Sequence, residues 1–129
     1  MRKIWIPVLV VLILITACED SKKNSQEAVY VNITAQQAKE IMNTEQGYII
    51  LDTRTQEEYD EGHIPGAILI PHDQIKAKAE RILTDKNQLI LVYCRSGRRS
   101  KLAAEDLVEL GYTNIKEFGG IIDWPYEVE

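Results

Sequence analysis

A short apolar run that ends in a cysteine and opens into a basic loop is the part of this sequence best suited to chemistry. The stretch "VYCRSGRRSK" occupies residues 92–101, and no acidic residue lies between Cys94 and Lys101. Over the whole chain acids outnumber bases, with 20 Asp and Glu against 15 Lys and Arg. The loop is therefore basic although the chain as a whole is acidic, which indicates a site for an anion.

The predicted geometry of this loop makes Cys94 a candidate nucleophile. Cys94 ends a predicted strand, the next helix begins near Arg99 or Ser100, and Gly97 permits a positive φ or a close backbone approach between them. Such a loop directs successive N–H groups inward, so amides, a helix N-terminus and guanidinium groups all favour a thiolate at its centre. They would lower the cysteine pKa below its free value of about 8.5. The alternative is a buried structural cysteine at a strand end.

Alternating short elements must position this loop. Strands are predicted at 29–34, 47–52, within 63–71, at 87–94 and at 115–118, and helices at 34–42, 55–62, 73–83 and 99–111. Such alternation predicts right-handed βαβ units and a mostly parallel sheet with helices on both faces. Since parallel strands share one carboxyl edge, Asp52, Pro71, Cys94 and the Gly119-Gly120 turn should lie together there.

Two of the predicted helices carry further local signals. Thr34 with Gln37 predicts a capping box at the start of the 34–42 helix. In the 99–111 helix, one apolar stripe is predicted to face the core. Its residues are Leu102, Ala103, Leu107 and Leu110.

The first residues are interpreted as a targeting signal. A cationic Met1-Arg2-Lys3 precedes an apolar run at 4–17, which is short for a transmembrane helix and typical of a signal peptide. The ending "LITAC" resembles a bacterial lipobox, in which Cys18 is lipidated and becomes the new N-terminus. We therefore expect a signal peptide at 1–17, and a lipidated N-terminus with a polar tether at 18–28. A buried helix is the alternative, although nothing amphipathic accompanies the run.

Removal of residues 1–17 would leave 112 residues with 13 basic and 20 acidic side chains, a formal net charge of −7. This length fits one domain, predicted at 29–129. The charge argues against nucleic acid as a partner and against adhesion to anionic lipid, so membrane contact would come from the lipid at Cys18. We expect a monomer anchored to a membrane outside the cytoplasm. Cys94 would then be the one free thiol, which excludes a disulfide framework.

Three separated segments resemble one known family, the rhodanese-homology family. "YCRSGRRS" is similar to its active-site loop, which runs Cys-x-x-Gly-x-Arg-Ser/Thr. "LDTRTQEEYDEGHIPGAILIP" at 51–71 is similar to its Asp-x-Arg, Glu-Tyr and Gly-His-Ile-Pro-Gly-Ala segment. "LGYTNIKEFGGIIDWP" at 110–125 is similar to its closing Gly-Tyr, Gly-Gly and Trp segment. The resemblance covers roughly residues 30–126, with the motifs in the family's order.

The resemblance implies both a fold and a reaction. The fold is α/β, with a five-stranded, mostly parallel sheet flanked by helices on both faces. The reaction is sulfur transfer, in which Cys94 takes sulfane sulfur from thiosulfate or from a persulfide or polysulfide donor. The resulting persulfide passes its sulfur to a thiophilic acceptor, which is a thiol or a protein, or cyanide in vitro. No cofactor is implied.

The roles of the other loop residues are also implied by the resemblance. Loop amides would bind the anionic donor and stabilise the persulfide, with Arg95, Arg98 and Arg99 as candidate helpers. Arg99 matches the family's arginine, where a structural role is equally open, whereas Arg95 and Arg98 lie at variable positions and face substrate or solvent. Ser96 and Ser100 are candidate hydrogen-bond donors to the loop or sulfur, and Ser100 could equally cap the helix.

Four polar residues near the same edge are interpreted as structural. Asp52 and Arg54 are expected to pair and fix loops, with Glu58 as a further candidate partner. His63 lies in a tight Gly-His-Ile-Pro-Gly turn and is interpreted as architectural. The spacing of Cys and His residues suggests no metal site.

Two rival function classes can be weighed against sulfur transfer. A protein-tyrosine-type phosphatase or an arsenate reductase also uses a cysteine in an anion loop, but requires Cys-x5-Arg. That arginine position is Ser100 here, with Arg99 one residue early, and the mature chain has no resolving thiol for arsenate reduction. A non-catalytic rhodanese module that binds partners often lacks the cysteine. A persulfide carrier keeps the cysteine and delivers its sulfur to another protein.

Overall fold

The protein is organised around one parallel sheet. The structure, a computed structural model, describes residues 29–129. The strands are β1 (Val31–Asn32), β2 (Ile49–Asp52), β3 (Ile68–Leu69), β4 (Ile90–Cys94) and β5 (Ile115–Gly120). The helices are α1 (Ala35–Thr44), α2 (Gln56–Glu61), α3 (Ile75–Ile82) and α4 (Arg98–Glu109), with short 3-10 turns at His72–Gln74 and Ile121–Asp123. The predicted signal peptide at 1–17 and tether at 18–28 lie outside the described residues.

The strands follow the order β1-β5-β4-β2-β3, and all four strand pairs are parallel. This confirms the predicted fold class of a five-stranded parallel sheet. β4 is the central strand and all of its residues are buried. A continuous apolar run of this kind is what a strand covered on both faces requires.

Helices cover both faces of the sheet. Successive residues of β4 point to opposite faces, and each face packs in a different core cluster. Val92 packs with residues of α3 and α4, including Ile75 and Leu107, in one core cluster. Leu91 packs on the other face in a second cluster with Ala38 of α1. Two layers of helix therefore enclose the sheet, and the carboxyl ends of the strands remain at one open edge.

Capping boxes fix the starts of two helices. The Thr34 side chain accepts the Gln37 N–H and the Gln37 side chain accepts the Thr34 N–H, which confirms the predicted box at α1. An equivalent box joins Thr55 and Glu58 at α2, and it was not predicted. Within residues 29–129, no helix combines the length and apolarity needed to span a bilayer.

The predicted apolar stripe of α4 is wrong in one position. Leu102 is 41% exposed, because the buried side of the helix begins at Ser100 and continues through Ala103, Ala104 and Leu107. These positions follow helical spacing from Ser100, and Leu102 lies on a different side of the helix. The buried face of α4 therefore combines three apolar residues of the core with one polar residue at the start of the helix.

The Gly119-Gly120 pair also differs from prediction, since both glycines belong to β5 and do not form a turn after it. The pairing of β4 with β5 shifts register between Val92 and Cys94 and then places Cys94 beside Gly120. This irregularity brings the end of β5 against the loop that follows Cys94.

Candidate active site

Cys94 lies where the central strand passes into α4. Only three residues separate the end of β4 from Arg98, the first residue of α4. The last of them, Gly97, has φ +102°, a left-handed conformation that favours glycine. The turn directs the Gly97 N–H to the Cys94 Sγ at 3.0 Å. The Ser100 hydroxyl lies 3.3 Å from the same sulfur, and Cys94 is fully buried.

Burial and hydrogen bonding act in opposite directions on the pKa of the Cys94 thiol. Burial raises this pKa because a thiolate loses its hydration. Hydrogen bonds from the Ser100 hydroxyl and from the backbone amides of Ser100, Gly97 and Ser96 lower it, and the net pKa lies below the ordinary value for cysteine. The loop thus has the electrostatic character of a site that holds an anionic sulfur.

The closeness of β5 to the loop depends on Gly120. A Cβ on this residue would lie 1.9 Å from the Arg95 carbonyl oxygen, so only glycine fits. The Ile122 N–H, just beyond β5, donates to the same carbonyl at 3.2 Å. The backbone of the loop is therefore held by direct contact with the end of β5.

Arg99 braces the loop against α2. Its guanidinium donates to both carboxylate oxygens of Glu58, at 2.6 Å and 2.9 Å. This bidentate pair and the capping bonds at Thr55 outweigh burial, which raises the pKa of the carboxyl, and lower the pKa of Glu58 to about 2. The expectation that Glu58 joins the Asp52 pair is wrong: its side chain reaches Arg99 and Thr55 instead.

The other polar side chains of the loop point outward. Arg95, Ser96 and Arg98 are exposed. Within residues 29–129, neither Arg95 nor Arg98 forms an ion pair with an acidic side chain. The two guanidinium groups are therefore available at the mouth of the loop. Ser100, by contrast, is buried beside the sulfur and does not serve as the N-cap of α4, a position held by Gly97.

Asp52 and Arg54 form the expected pair beneath the loop region. The Arg54 Nη2 lies 2.7 Å from the Asp52 Oδ2, and the same nitrogen donates to the Gly62 carbonyl at 2.7 Å. The Tyr93 hydroxyl donates to Asp52 at 2.6 Å and accepts the Ile64 N–H at 3.1 Å. These bonds join β2, β4 and the segment after α2, which supports the structural role expected for Asp52 and Arg54.

His63 is held inside the fold at the segment between α2 and β3. Its Nδ1 lies 2.9 Å from the Tyr59 carbonyl oxygen, and its ring stacks on Tyr59 with centroids 3.8 Å apart. Its Nε2 lies 3.3 Å from Glu129. These contacts place His63 among the packing interactions of α2. In the part of the chain that the structure describes, no group of three His, Cys, Asp or Glu side chains could hold a metal ion.

Sequence reasoning missed one residue of this region, Glu117 of β5. Its carboxylate is 2% exposed and accepts a hydrogen bond from the Ser100 hydroxyl at 2.7 Å. It also accepts the Gly119 N–H at 2.8 Å. The available signal was an acidic residue within the predicted short strand "IKEF" that precedes the paired glycines.

Comparison with known proteins assigns the family. Residues 34–125 match the family model described as Rhodanese-like domain. The chain belongs to this family. A solved structure described as rhodanese with anions from E. coli superimposes with a TM-score of 0.60 at 36% identity, over 64% of this chain and 96% of that one.

Two relatives of this rhodanese-like domain carry names that refer to sulfur. Thiosulfate sulfurtransferase PspE of Escherichia coli (strain K12) is 41% identical over 73 residues, which cover 57% of this chain and 70% of that protein. Putative sulfur carrier protein YrkF of Bacillus subtilis (strain 168) is 31% identical over 112 residues, which cover 86% of this chain and 58% of that protein. The family therefore includes proteins named for sulfur transfer and for sulfur carriage.

The rhodanese-like site combines three features that suit sulfur chemistry. A buried thiol of lowered pKa provides a nucleophile, converging amides provide a positive environment, and free guanidinium groups stand at the entrance. Such an arrangement can attack a terminal sulfur and hold the charge that results.

Proposed function

We propose that this protein is a sulfurtransferase that carries sulfane sulfur as a persulfide of Cys94. The observation that carries the proposal is the Gly97 N–H directed at the Cys94 Sγ at 3.0 Å, within a loop that lowers the thiol pKa. A thiolate held by backbone donors is the reactive form of the residue, and the same donors can stabilise a persulfide anion.

The proposed reaction proceeds in two displacements. The Cys94 thiolate attacks the outer sulfur of thiosulfate, so that a new S–S bond forms, the S–S bond of thiosulfate breaks, and sulfite leaves with the electron pair. An acceptor nucleophile then attacks the outer sulfur of the persulfide and restores the Cys94 thiolate. A polysulfide or persulfide donor would react in the same way, since its reacting sulfur is also bonded to another sulfur.

The loop side chains divide the remaining work. Arg95 and Arg98 would attract the anionic donor to the mouth of the loop, because both are exposed and face no acidic partner within residues 29–129. Arg99 would keep the loop in shape through Glu58, and Ser100 would contact the reacting sulfur directly.

The sulfur acceptor comes from outside the domain. Cys94 is the single free cysteine among the described residues, so the persulfide has no internal thiol with which to form a disulfide. A small thiol or a partner protein would take the sulfur, and cyanide would do so in vitro. The relative named as a putative sulfur carrier protein supports the carriage of sulfur.

We further propose that the domain is a monomer held at a membrane outside the cytoplasm. Support comes from the sequence: the apolar run at 4–17 ends in "LITAC", with Cys18 as the lipid attachment site. Metabolic labelling with a palmitate analogue tests this directly. Wild type should take up the label and Cys18→Ala should not, and an unlabelled wild type would contradict the anchor.

Thiocyanate production tests the proposed reaction. Purified protein mixed with thiosulfate and cyanide should form thiocyanate, whereas Cys94→Ser should form none above background. The Cys18→Ala variant serves as the matched control, because it removes the other cysteine and should retain the rate. A wild type that is inactive with thiosulfate and with polysulfide donors would overturn the proposal.

A further inference from the structure

Glu117 places a buried carboxylate next to the reactive loop, and the displacements described above make no use of it. The residue is 2% exposed and belongs to β5, the strand that the loop packs against. Its Oε1 accepts the Ser100 hydroxyl at 2.7 Å and the Gly119 N–H at 2.8 Å. The Ser100 hydroxyl thus connects this buried carboxylate to the Cys94 thiol, which suggests that Glu117 influences the thiol.

The Ser100 hydroxyl is shared among more acceptors than it can serve. Its Oγ lies 2.7 Å from Glu117, 3.1 Å from the Gly97 carbonyl oxygen, 3.3 Å from the Cys94 Sγ and 3.4 Å from the Gly119 carbonyl oxygen. A hydroxyl has one proton to donate. The short distance to Glu117 is typical of a charge-assisted bond to a carboxylate, which is the strongest of these interactions. Glu117 therefore competes with Cys94 for the Ser100 proton and weakens the hydrogen bond by which that hydroxyl lowers the pKa of the thiol.

This competition disfavours a thiolate at Cys94. A protonated thiol can donate its S–H to the lone pairs of the Ser100 oxygen, but a thiolate has no proton to donate and meets those lone pairs directly. A carboxylate charge also stands behind the hydroxyl. The loop amides of Gly97 and its neighbours still stabilise the thiolate, so Glu117 opposes them in part.

A persulfide would experience less of this opposition. Formation of the Cys94 persulfide moves the negative charge from Sγ, the atom that the Ser100 hydroxyl contacts, to the outer sulfur. The inner sulfur is then neutral, so the loss of a hydrogen bond from Ser100 to this sulfur destabilises the persulfide only slightly. Glu117 should therefore penalise the free thiolate more than the persulfide.

Other charges near the sulfur are already balanced or face solvent. Besides Glu117, the charged residues at the ends of the elements that meet at Cys94 are Asp52 at the end of β2, Arg54 after it, Glu58 of α2, Arg95 of the loop, and Arg98 and Arg99 at the start of α4. Asp52 pairs with Arg54, and Glu58 pairs with Arg99. Among residues 29–129, Glu117 forms no ion pair, and its Oε1 accepts hydrogen bonds from the Ser100 hydroxyl and the Gly119 N–H. Its influence on Cys94 is therefore exerted through Ser100.

We propose that Glu117 is a positioning residue that draws the Ser100 proton away from Cys94 and so favours the persulfide over the free thiolate. The persulfide half of this proposal rests on the proposed function, whereas the effect on the free thiol does not. No proton is gained or lost in the transfer itself: one S–S bond forms, another breaks, and sulfite leaves as an anion.

The free thiol is tested by the pH dependence of its alkylation with iodoacetamide. The full chain carrying Cys18→Ala has Cys94 as its sole thiol. In this background Glu117→Gln should lower the apparent pKa of the thiol by about one pH unit and raise the alkylation rate near neutral pH severalfold. The control Glu105→Gln removes the same charge from an exposed position of α4 and should leave the profile unchanged. An unchanged profile for Glu117→Gln would overturn the proposal.

The part played by the hydroxyl is tested in a Ser100→Ala background. If Glu117 acts through the Ser100 proton, the shift caused by Glu117→Gln should be at least halved there. A shift of undiminished size would overturn the role of the hydroxyl. Circular dichroism of each variant establishes that the fold is retained.

The balance of sulfur states is tested by intact mass at a fixed ratio of thiosulfate to sulfite. Glu117→Gln should reduce the ratio of persulfide to free thiol severalfold relative to wild type and Glu105→Gln. An unchanged ratio would overturn the proposal. A wild type that forms no persulfide at all would instead overturn the proposed function, and the alkylation profile would still report on Glu117.

Discussion

Two buried polar clusters occupy the same edge of the sheet, one around Asp52 and one around Cys94. In the first cluster, the Asp52 carboxylate takes hydrogen bonds from the backbone and side chain of Arg54 and from the Tyr93 hydroxyl. In the second, backbone donors converge on the Cys94 sulfur, while Arg95 at the mouth of the loop remains exposed. The charges of the Asp52 cluster are paired with each other inside the protein. In the Cys94 cluster, an exposed guanidinium group remains available to bind a ligand.

The difference distinguishes a structural network from a reactive one. Both clusters are buried, and both combine charge with hydrogen bonds, so burial alone does not identify the site. The Asp52 cluster joins elements by satisfying every charge it contains. In the Cys94 cluster, backbone N–H groups surround the Cys94 sulfur, an atom that can form and break bonds. The predictions below separate the two clusters experimentally, from the largest expected effect to the smallest.

Asp52→Asn should damage the fold far more than the chemistry. The variant leaves the buried Arg54 guanidinium without its counter-charge, which should cost about 3 to 5 kcal/mol in the free energy of unfolding. Urea unfolding measures this loss, with Asp73→Asn at an exposed position as the control. Alkylation of Cys94 in the folded fraction should change less than twofold. A stable Asp52→Asn protein with an unreactive thiol would reverse the proposed roles of the clusters.

Gly120→Ala should damage the chemistry of the Cys94 cluster most. Its backbone is ordinary, with φ −134°, so the cost comes from the Cβ that would meet the Arg95 carbonyl at 1.9 Å. Displacement of the loop should lower the rate of thiocyanate formation about a hundredfold. Gly119→Ala provides the comparison, because its Cβ would meet no atom within 4 Å although its φ is +88°. If both variants lose the same activity, the contact with Arg95 is not what positions the loop.

The brace between Arg99 and Glu58 should contribute stability that depends on pH. Because the folded pKa of Glu58 is about 2, against an ordinary 4.5, the contribution is complete above about pH 4.5 and is lost as the pH falls toward 2. We expect Glu58→Gln to lower the free energy of unfolding by about 1 to 2 kcal/mol at pH 6, since the partly exposed pair is screened by solvent.

Urea unfolding of Glu58→Gln between pH 6 and pH 2.5 checks this expectation. The gap to wild type should narrow as the pH falls, whereas Glu57→Gln, at an exposed neighbouring position, should show no comparable gap. A gap that is constant across this range would mean that the ion pair does not supply the stability.

Arg95→Gln and Arg98→Gln should have the smallest effects. Each removes one exposed cation from the mouth of the loop, so KM for thiosulfate should rise by about threefold, with less change in kcat. The control Arg81→Gln removes an exposed cation from α3. Raised salt should diminish the difference from wild type. An equal rise in KM for Arg81→Gln would show that net charge, and not the loop, attracts the donor.

The parts of the fold that follow local patterns could be predicted from the sequence. The apolar run at 87–94 identified a central strand, because a strand covered on both faces lacks polar alternation. Thr34 and Gln37 identified the start of α1, since a capping box is complete within four residues. The predicted parallel arrangement places Asp52 and Cys94 at one edge of the sheet, and both residues end parallel strands in the structure.

The parts of the site that depend on distant partners could not be predicted in this way. Glu58 is a candidate partner of the Asp52–Arg54 pair from the sequence, yet it pairs with Arg99, 41 positions away. The acidic character of Glu117 within a short strand was a weak signal, because its partner Ser100 lies on a different element. Leu102 fits the predicted stripe by its apolar character, yet the buried face of α4 runs through Ser100, Ala103, Ala104 and Leu107.

The most direct test of the central claim is the intact mass of the protein after incubation with thiosulfate and removal of excess reagent. We predict that the Cys18→Ala protein gains one sulfur atom, that cyanide removes it, and that the further substitution Cys94→Ser abolishes the gain. A wild-type thiol that remains unmodified by thiosulfate and by polysulfide donors, in a folded protein, would contradict the account.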